Sequence, residues 1–322
     1  MLPRGIVAAA VIASFLLFST GPGMAAEKKF PVKPIQIIIP FQPGETDNLL
    51  RPFIEKMPEY LGQPVSFVYK PGAAGATGAG FVAGSKPDGY TLVGTSQSSV
   101  CLLPVTNKDA GYTRESFAPV TCLALGYLMV AVQSSARWKN IQELVAEAKK
   151  NPGKINYAST GTMGISHIAG EAFARAADIK LNHIPAQGSG PAVTALLGGH
   201  VDFAVPGSGP SVPHIRAGTM RALIVFNEKR VQALPQVPTS TEVGYPVVLP
   251  LGYGLLAPKG TPREVVEVIA QAAQKVVQNH KAFLEDRLSK VGAEIGFMGV
   301  REHGVFLKSQ SDYFEKIMKG LK

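Results

Sequence analysis

Short apolar segments typical of β-strands alternate with amphipathic segments typical of α-helices along this chain. The β-branched run Ile35–Ile39 ends at Pro40, and the apolar-periodic stretch Leu49–Tyr60 follows it. Val65–Tyr69 then begins a second unit of the same kind. Such alternation predicts an α/β fold in which crossover helices join parallel strands.

A second set of alternating segments runs from Leu128 to Phe226. The proline-dense segment Val231–Pro250 follows it, and this density argues against regular structure. A strand at Tyr253–Ala257 and two helices, Pro262–Asn279 and Arg301–Met318, complete the predicted elements. Two sets of strands and helices predict two α/β lobes with parallel-rich sheets.

The first 26 residues have the pattern of a secretory signal. Arg4 gives a positive start, Ile6–Phe18 is almost wholly apolar, and small residues lead up to Ala26. The alternative is an uncleaved anchor, but this apolar stretch of 13 residues is shorter than the roughly 20 residues that span a bilayer. We expect cleavage near Ala26 and a soluble, exported protein.

The formal net charge of +9 favours anionic partners through its long-range field, or it reflects surface composition alone. Nucleic acid is not an expected partner, because lysines and arginines are dispersed and no basic run is interleaved with aromatic residues. Cys101 and Cys122 are the two cysteines of the chain. In an exported protein they form either one disulfide or two buried free thiols.

The sequence lacks the motifs of the common enzyme classes. No nucleophile elbow, P-loop or paired-cysteine motif is present, and the six histidines are not spaced as metal ligands. Gly78–Ala83 matches the dinucleotide-binding pattern loosely, without the acidic residue expected on the next strand. We therefore predict no catalytic residue, no metal and no cofactor.

Small polar residues recur where predicted strands lead into predicted helices. Each such loop alone is compatible with a simple helix cap. In open α/β sheets, however, ligands bind at the carboxyl ends of the strands, where these loops converge. Five loops of this kind predict a cleft lined by neutral hydrogen-bond donors; they are Gln42–Asp47, Gly72–Gly78, Thr95–Ser96, Ser159–Thr162 and Gln187–Gly190.

Blocks of sequence along the whole mature chain resemble the substrate-binding receptors of tripartite tricarboxylate transporters, also called Bug-type receptors. The blocks that carry the resemblance are Pro34–Phe41, Pro43–Asp47, Leu61–Val65, Lys70–Ala73, Lys86–Leu92, Pro152–Ser159, Ser166–Glu171, Leu196–Asp202, Pro213–Gly218, Arg221–Leu223 and Leu255–Pro262.

The resemblance implies a type II periplasmic binding-protein fold whose two lobes hinge shut over a small organic ligand, usually a carboxylate. It places lobe 1 at residues 27–125 and 253–322 and lobe 2 at 126–252, and it implies a monomer that hands its ligand to a membrane permease. Two alternatives stay open at this point. One is an orphan receptor that presents its ligand to a sensor or an enzyme, and the other is an enzyme on the same scaffold.

The resemblance and the polar loops together give the candidate ligand contacts. Those expected from the first lobe are Phe41, Gln42, Gly44, Glu45, Thr46, Asp47, Gly75, Ala76, Thr77 and Ser96. Those expected from the second lobe are Ser159, Thr160, His167, Gln187, Gly188 and Pro206.

The loop Gly44–Glu45–Thr46 departs from the family pattern, which commonly has a run of glycines there. Ala186 and Gln187 also stand where tyrosine and lysine are frequent. Either Glu45 faces solvent from the loop rim, or it approaches the ligand. In the second case its carboxylate would repel a ligand carboxylate in a desolvated cleft. Our hypothesis is that the ligand is not a simple dicarboxylate, but a monoacid or an acid that places an amine, hydroxyl or amide at Glu45.

Overall fold

The computed structural model describes residues 29–321 of the chain, which form two mixed β-sheets connected by α-helices. The predicted signal segment, residues 1–26, lies outside the described residues. Within residues 29–321, no helix combines the length and the apolar composition needed to cross a bilayer.

The strands are β1 (Ile35–Ile39), β2 (Val65–Tyr69), β3 (Thr91–Ser96), β4 (Phe117–Gly126), β5 (Met129–Gln133), β6 (Asn156–Ser159), β7 (Asn182–Pro185), β8 (Phe203–Ala204), β9 (Met220–Val225), β10 (Leu251–Pro258) and β11 (Glu294–Met298). The α-helices are α1 (Glu45–Ile54), α2 (Pro58–Leu61), α3 (Ala76–Ala83), α4 (Leu103–Thr106), α5 (Ile141–Lys150), α6 (Ile165–Ala176), α7 (Ser189–Leu197), α8 (Ser208–Arg216), α9 (Arg263–Asn279), α10 (Lys281–Lys290) and α11 (Val300–Leu321).

The six-stranded sheet has the order β11-β4-β10-β3-β1-β2. β1 pairs in parallel with both β2 and β3, so that Ile37 lies between Phe67 and Leu92. β10 runs antiparallel to β3 and β4. The side chains of Ile37 and Leu255 have no exposed surface, because apolar residues on these strands pack against helices on the sheet faces.

The five-stranded sheet has the order β7-β6-β8-β5-β9. β6 is parallel to β7 and β8, whereas β5 is antiparallel to β8 and β9. The predicted α/β fold with two sets of strands is confirmed. The sheets contain more antiparallel strand pairs than expected. β4 ends at the first connection between the sheets, β5 begins after it, and β10 begins after the second connection, so these strands are not all joined by crossover helices within one sheet.

The chain passes between the two sheets twice. It leaves the first sheet at Gly126 and enters the second at Met129. It returns along the proline-rich segment and joins the first sheet at Leu251. Gln97 holds this return in place, since its Nε2 donates to the Pro250 carbonyl at 2.6 Å and its Oε1 accepts the Gly252 N–H at 3.0 Å. The lobe boundaries given above stay a prediction.

Cys101 and Cys122 are both buried and both free, so the structure contains two thiols and not the disulfide alternative. Burial raises the pKa of Cys101 to about 11 and that of Cys122 to about 12. Because the thiolate is the reactive form, we expect a thiol reagent at neutral pH to label two cysteines in denatured protein and to label the native protein very slowly. A protein mass that is unchanged after denaturation and labelling would contradict the assignment of two free thiols.

Candidate functional site

The helices of both sheets begin at loops that face each other across a cleft. α1 follows β1 in the first sheet, whereas α6, α7 and α8 follow β6, β7 and β8 in the second. The loops touch where the N–H of Gln42 donates to the carbonyl of Gln187 at 3.2 Å. The cleft therefore lies at the carboxyl ends of strands, the usual ligand position in open α/β sheets.

An inner cavity of about 30 Å³ lies at the base of this cleft. Five predicted residues line it, namely Phe41, Glu45, Thr46, Ser96 and Thr160. Ala74 and Ser189, which lie in two of the predicted polar loops, also line it. The sequence did not single out the other lining residues, which are Ser98, Leu128, Gly164, Ile165, Leu251 and Tyr253. The N-termini of α1, α6 and α7 all reach this lining. Their unpaired N–H groups and dipoles favour negative charge.

An outer cavity of about 290 Å³ lies beside the inner one. Phe41, Ala74 and Thr160 belong to both linings and so stand between the two spaces. Of the predicted contacts, Phe41, Gly75, Thr160 and Gln187 line the outer cavity. The loops Gly72–Gly75 and Thr160–Thr162 form opposite walls, together with Pro185 and Ala186. Both linings lack lysine, arginine and histidine.

Glu45 is buried, with 6% of its surface exposed. Its Oε2 accepts the N–H of Gly209 at 2.6 Å, and its Oε1 accepts the hydroxyls of Tyr253 at 3.2 Å and Ser208 at 3.4 Å. The alternative in which Glu45 points to solvent from the loop rim is therefore wrong. The carboxyl group instead joins α1 of the first sheet to α8 of the second.

Burial raises the pKa of Glu45 from 4.5 to about 8, because desolvation of the charge outweighs the stabilising hydrogen bonds from Gly209, Tyr253 and Ser208. At neutral pH the group is consequently mostly a neutral carboxylic acid. An added methyl group at Gly207 would overlap the Glu45 carboxyl, and one at Gly209 would lie 2.8 Å from Oε2. These two glycines leave the space that the carboxyl group occupies.

Asp47 lines neither cavity and has structural partners of its own. Its carboxylate accepts the N–H of Gly44 at 2.6 Å, which caps α1, and it also accepts Arg51 at 3.3 Å and the hydroxyl of Tyr69 at 3.1 Å. Three partners on the same side of the helix hold it away from both cavities. The sequence suggested this role only through the acidic residue in the first helical turn.

Ser159 and His167 lie in a polar cluster behind the cleft. Ser159 Oγ contacts His183 Nε2 at 2.6 Å, and the rings of His167 and His183 stack with centroids 3.9 Å apart. Burial lowers the pKa of both histidines, that of His183 to about 4. Ser159 has no exposed surface in this structure.

The remaining predicted residues lie close to the cleft without lining either cavity. An added methyl group would lie 2.8 Å from the Gly190 nitrogen if placed at Gly44, and 3.4 Å from Phe41 Cβ if placed at Gly188. The carbonyl of Pro206 accepts the N–H of Met129 at 3.2 Å. Contact of this set with a ligand stays a prediction; its members are Gln42, Gly44, Ala76, Thr77, Ser159, His167, Gly188 and Pro206.

A larger recess of about 920 Å³ lies outside the cleft. It is an open groove between the end of α8 and the pair α9 and α10, and Arg216, Lys281, Glu285 and Asp286 contribute charges of both signs. Helix N-termini do not converge on this groove, so the cleft remains the candidate ligand site.

The sequence profile of the tripartite tricarboxylate transporter family receptors matches residues 49–322. The chain belongs to this receptor family. It is 33% identical to the "UPF0065 protein in gbd 5′ region" of Cupriavidus necator over 98% of this chain and 96% of that protein. The predicted resemblance to this family is thus confirmed.

Solved structures of the receptor family share this fold. The periplasmic binding protein BugD superposes with a TM-score of 0.85 at 30% identity and covers 90% of this chain and 98% of its own. MatC from Rhodopseudomonas palustris, solved with bound malate, superposes with a TM-score of 0.84 at 25% identity over 89% of this chain and 99% of its own. This chain is therefore a periplasmic solute-binding protein of the Bug-type receptor family.

Proposed function

We propose that this receptor captures a small organic acid between its two sheets and delivers it to the membrane subunits of a tripartite tricarboxylate-type transporter. The observation that carries the proposal is the convergence of the N-termini of α1, α6 and α7 on one cavity whose lining has no cationic side chain. Such a site stabilises a carboxylate through backbone N–H groups and hydroxyls. The malate bound in MatC, a relative with the same fold, supports the same ligand class.

Capture requires the two sheets to separate and close again. A cavity needs about 10–15 Å³ to hold one water molecule, so the inner cavity of about 30 Å³ has room for roughly two waters. Entry of an organic acid therefore requires the loops at Gln42 and Gln187 to part. The two crossings beside Gly126 and Leu251 are the connections about which this movement would occur.

The proposal is tested by calorimetric titration of the mature protein with a panel of small acids and with their amides of matched size. We expect at least one acid to bind with micromolar or tighter affinity, and its amide to bind at least about tenfold more weakly, since the helix N-termini favour the charged form. Binding of amides and acids with equal affinity, or binding of neither, would contradict a carboxylate receptor.

A further inference from the structure

Glu45 is the one acidic side chain in the linings of the inner and outer cavities. It stands in the first turn of α1, beside Thr46, and so lies at one of the helix N-termini that would receive a ligand carboxylate. No lysine, arginine or histidine in either lining compensates for it. A second ligand carboxylate that entered the inner cavity would thus be a buried charge without a cationic partner, next to another acid.

The hydrogen-bond donors around Glu45 are already in use. The N–H of Gly209 and the hydroxyls of Ser208 and Tyr253 all point at its carboxyl oxygens. These are the donors that the second sheet and β10 offer at the base of the cleft. A ligand carboxylate placed there would have to displace Glu45 or remain without its hydrogen bonds, which is costly in a buried site.

We propose that Glu45 determines the charge of the ligand: the cleft accepts an acid with one carboxylate and excludes the second carboxylate of a dicarboxylic acid. The first carboxylate lies at the N-termini of α6 and α7 and at Ser96, away from Glu45. The far end of the ligand, which faces Glu45, is apolar, or it carries a hydroxyl, amide or ammonium group. This inference rests on the proposed function, because it specifies the substrate class of the same cleft.

The test compares matched pairs of acids that differ by one carboxylate: butyrate against succinate, and 3-hydroxybutyrate against malate. Affinities are measured by calorimetry for wild type, Glu45→Gln and Glu45→Ala. We expect wild type to bind each monoacid at least about tenfold more tightly than its diacid. In Glu45→Gln the amide keeps the shape and replaces the acid by a group that can donate to a carboxylate, and in Glu45→Ala the donors around Glu45 are released, so we expect diacid affinity to rise about tenfold or more in both.

Glu55→Gln is the matched control, because Glu55 is exposed at the end of the same helix and undergoes the same chemical change away from the cleft. We expect it to keep the wild-type preference. Circular dichroism and thermal unfolding check that each variant is folded. Diacid affinities that are the same in wild type and both Glu45 variants overturn the inference, whether or not wild type binds the monoacids. A wild type that binds neither kind of acid contradicts the proposed function itself, which separates the two failures.

Discussion

A Gly190→Ala variant is expected to bind its ligand between about fivefold and about 150-fold more weakly than wild type. Gly190 lies in the first turn of α7, and an added methyl group would overlap the carbonyl oxygen of Pro43 on the facing loop. Overpacking of this kind costs roughly 1–3 kcal/mol, which gives the stated range of affinities. The overlap arises between the two sheets, so it opposes closure and leaves each sheet intact.

The same variant should not lose thermal stability. The φ of Gly190 is not in the left-handed region that favours glycine. Gly84→Ala is the matched control, because an added methyl there lies 3.7 Å from its nearest neighbour. Calorimetry measures the affinity of each variant for the tightest-binding acid, and thermal unfolding measures its melting temperature. Wild-type affinity in Gly190→Ala would show that the contact between Gly190 and Pro43 is not part of ligand capture.

Raising the pH from 5 to 9 is expected to destabilise wild type relative to Glu45→Gln. The carboxyl of Glu45 has a pKa of about 8 in the folded protein and 4.5 as its ordinary value. The folded state therefore holds a proton that the unfolded state releases, and stability is lost as the pH rises from 4.5 through 8. The difference between these two pKa values corresponds to a loss of at most about 5 kcal/mol in the free energy of unfolding. Opening of the cleft, which would hydrate the carboxylate, would reduce this loss.

Denaturant unfolding of both proteins at pH 5, 7 and 9 measures this effect. The groups that face Glu45 from other elements are Ser208 and Gly209 on α8 and Tyr253 on β10, and the nearby Tyr127 is also neutral in this range. Titration of all other groups is common to the two proteins and cancels in the difference. If the two stabilities changed in parallel with pH, Glu45 would have to be ionised or solvated in the folded protein, contrary to the geometry described above.

Elements with strong local signals were predicted almost to the residue. β1 is the β-branched run that Pro40 ends, and α9 (Arg263–Asn279) matches the helix predicted at Pro262–Asn279. β4 was not predicted, because the apolar run Cys122–Val132 contains the end of β4, the crossing and the start of β5. Periodicity shows where a strand is buried, but not where the chain leaves one sheet for another. The mostly polar α10 and the half-exposed β11 gave too weak a pattern.

The candidate site could be predicted only where its residues follow strands. Thr46, Ser96 and Thr160 were found in this way, since the carboxyl ends of strands converge. Phe41 was predicted from the family resemblance. Tyr253 was missed because it lies within a strand, and its hydroxyl reaches Glu45 from a distant part of the sequence. The contact of Glu45 with α8 depends on how the two sheets meet, which no local pattern encodes.

The most direct test of the account is a crystal structure of the mature protein with its tightest-binding acid. The predicted result is an acid enclosed between the sheets, with its carboxylate in hydrogen-bond distance of the N-termini of α6 and α7 and in contact with Ser96 of the first sheet. An acid bound instead in the groove beside Arg216 and Lys281, or one that contacts a single sheet, would contradict capture by closure of this cleft.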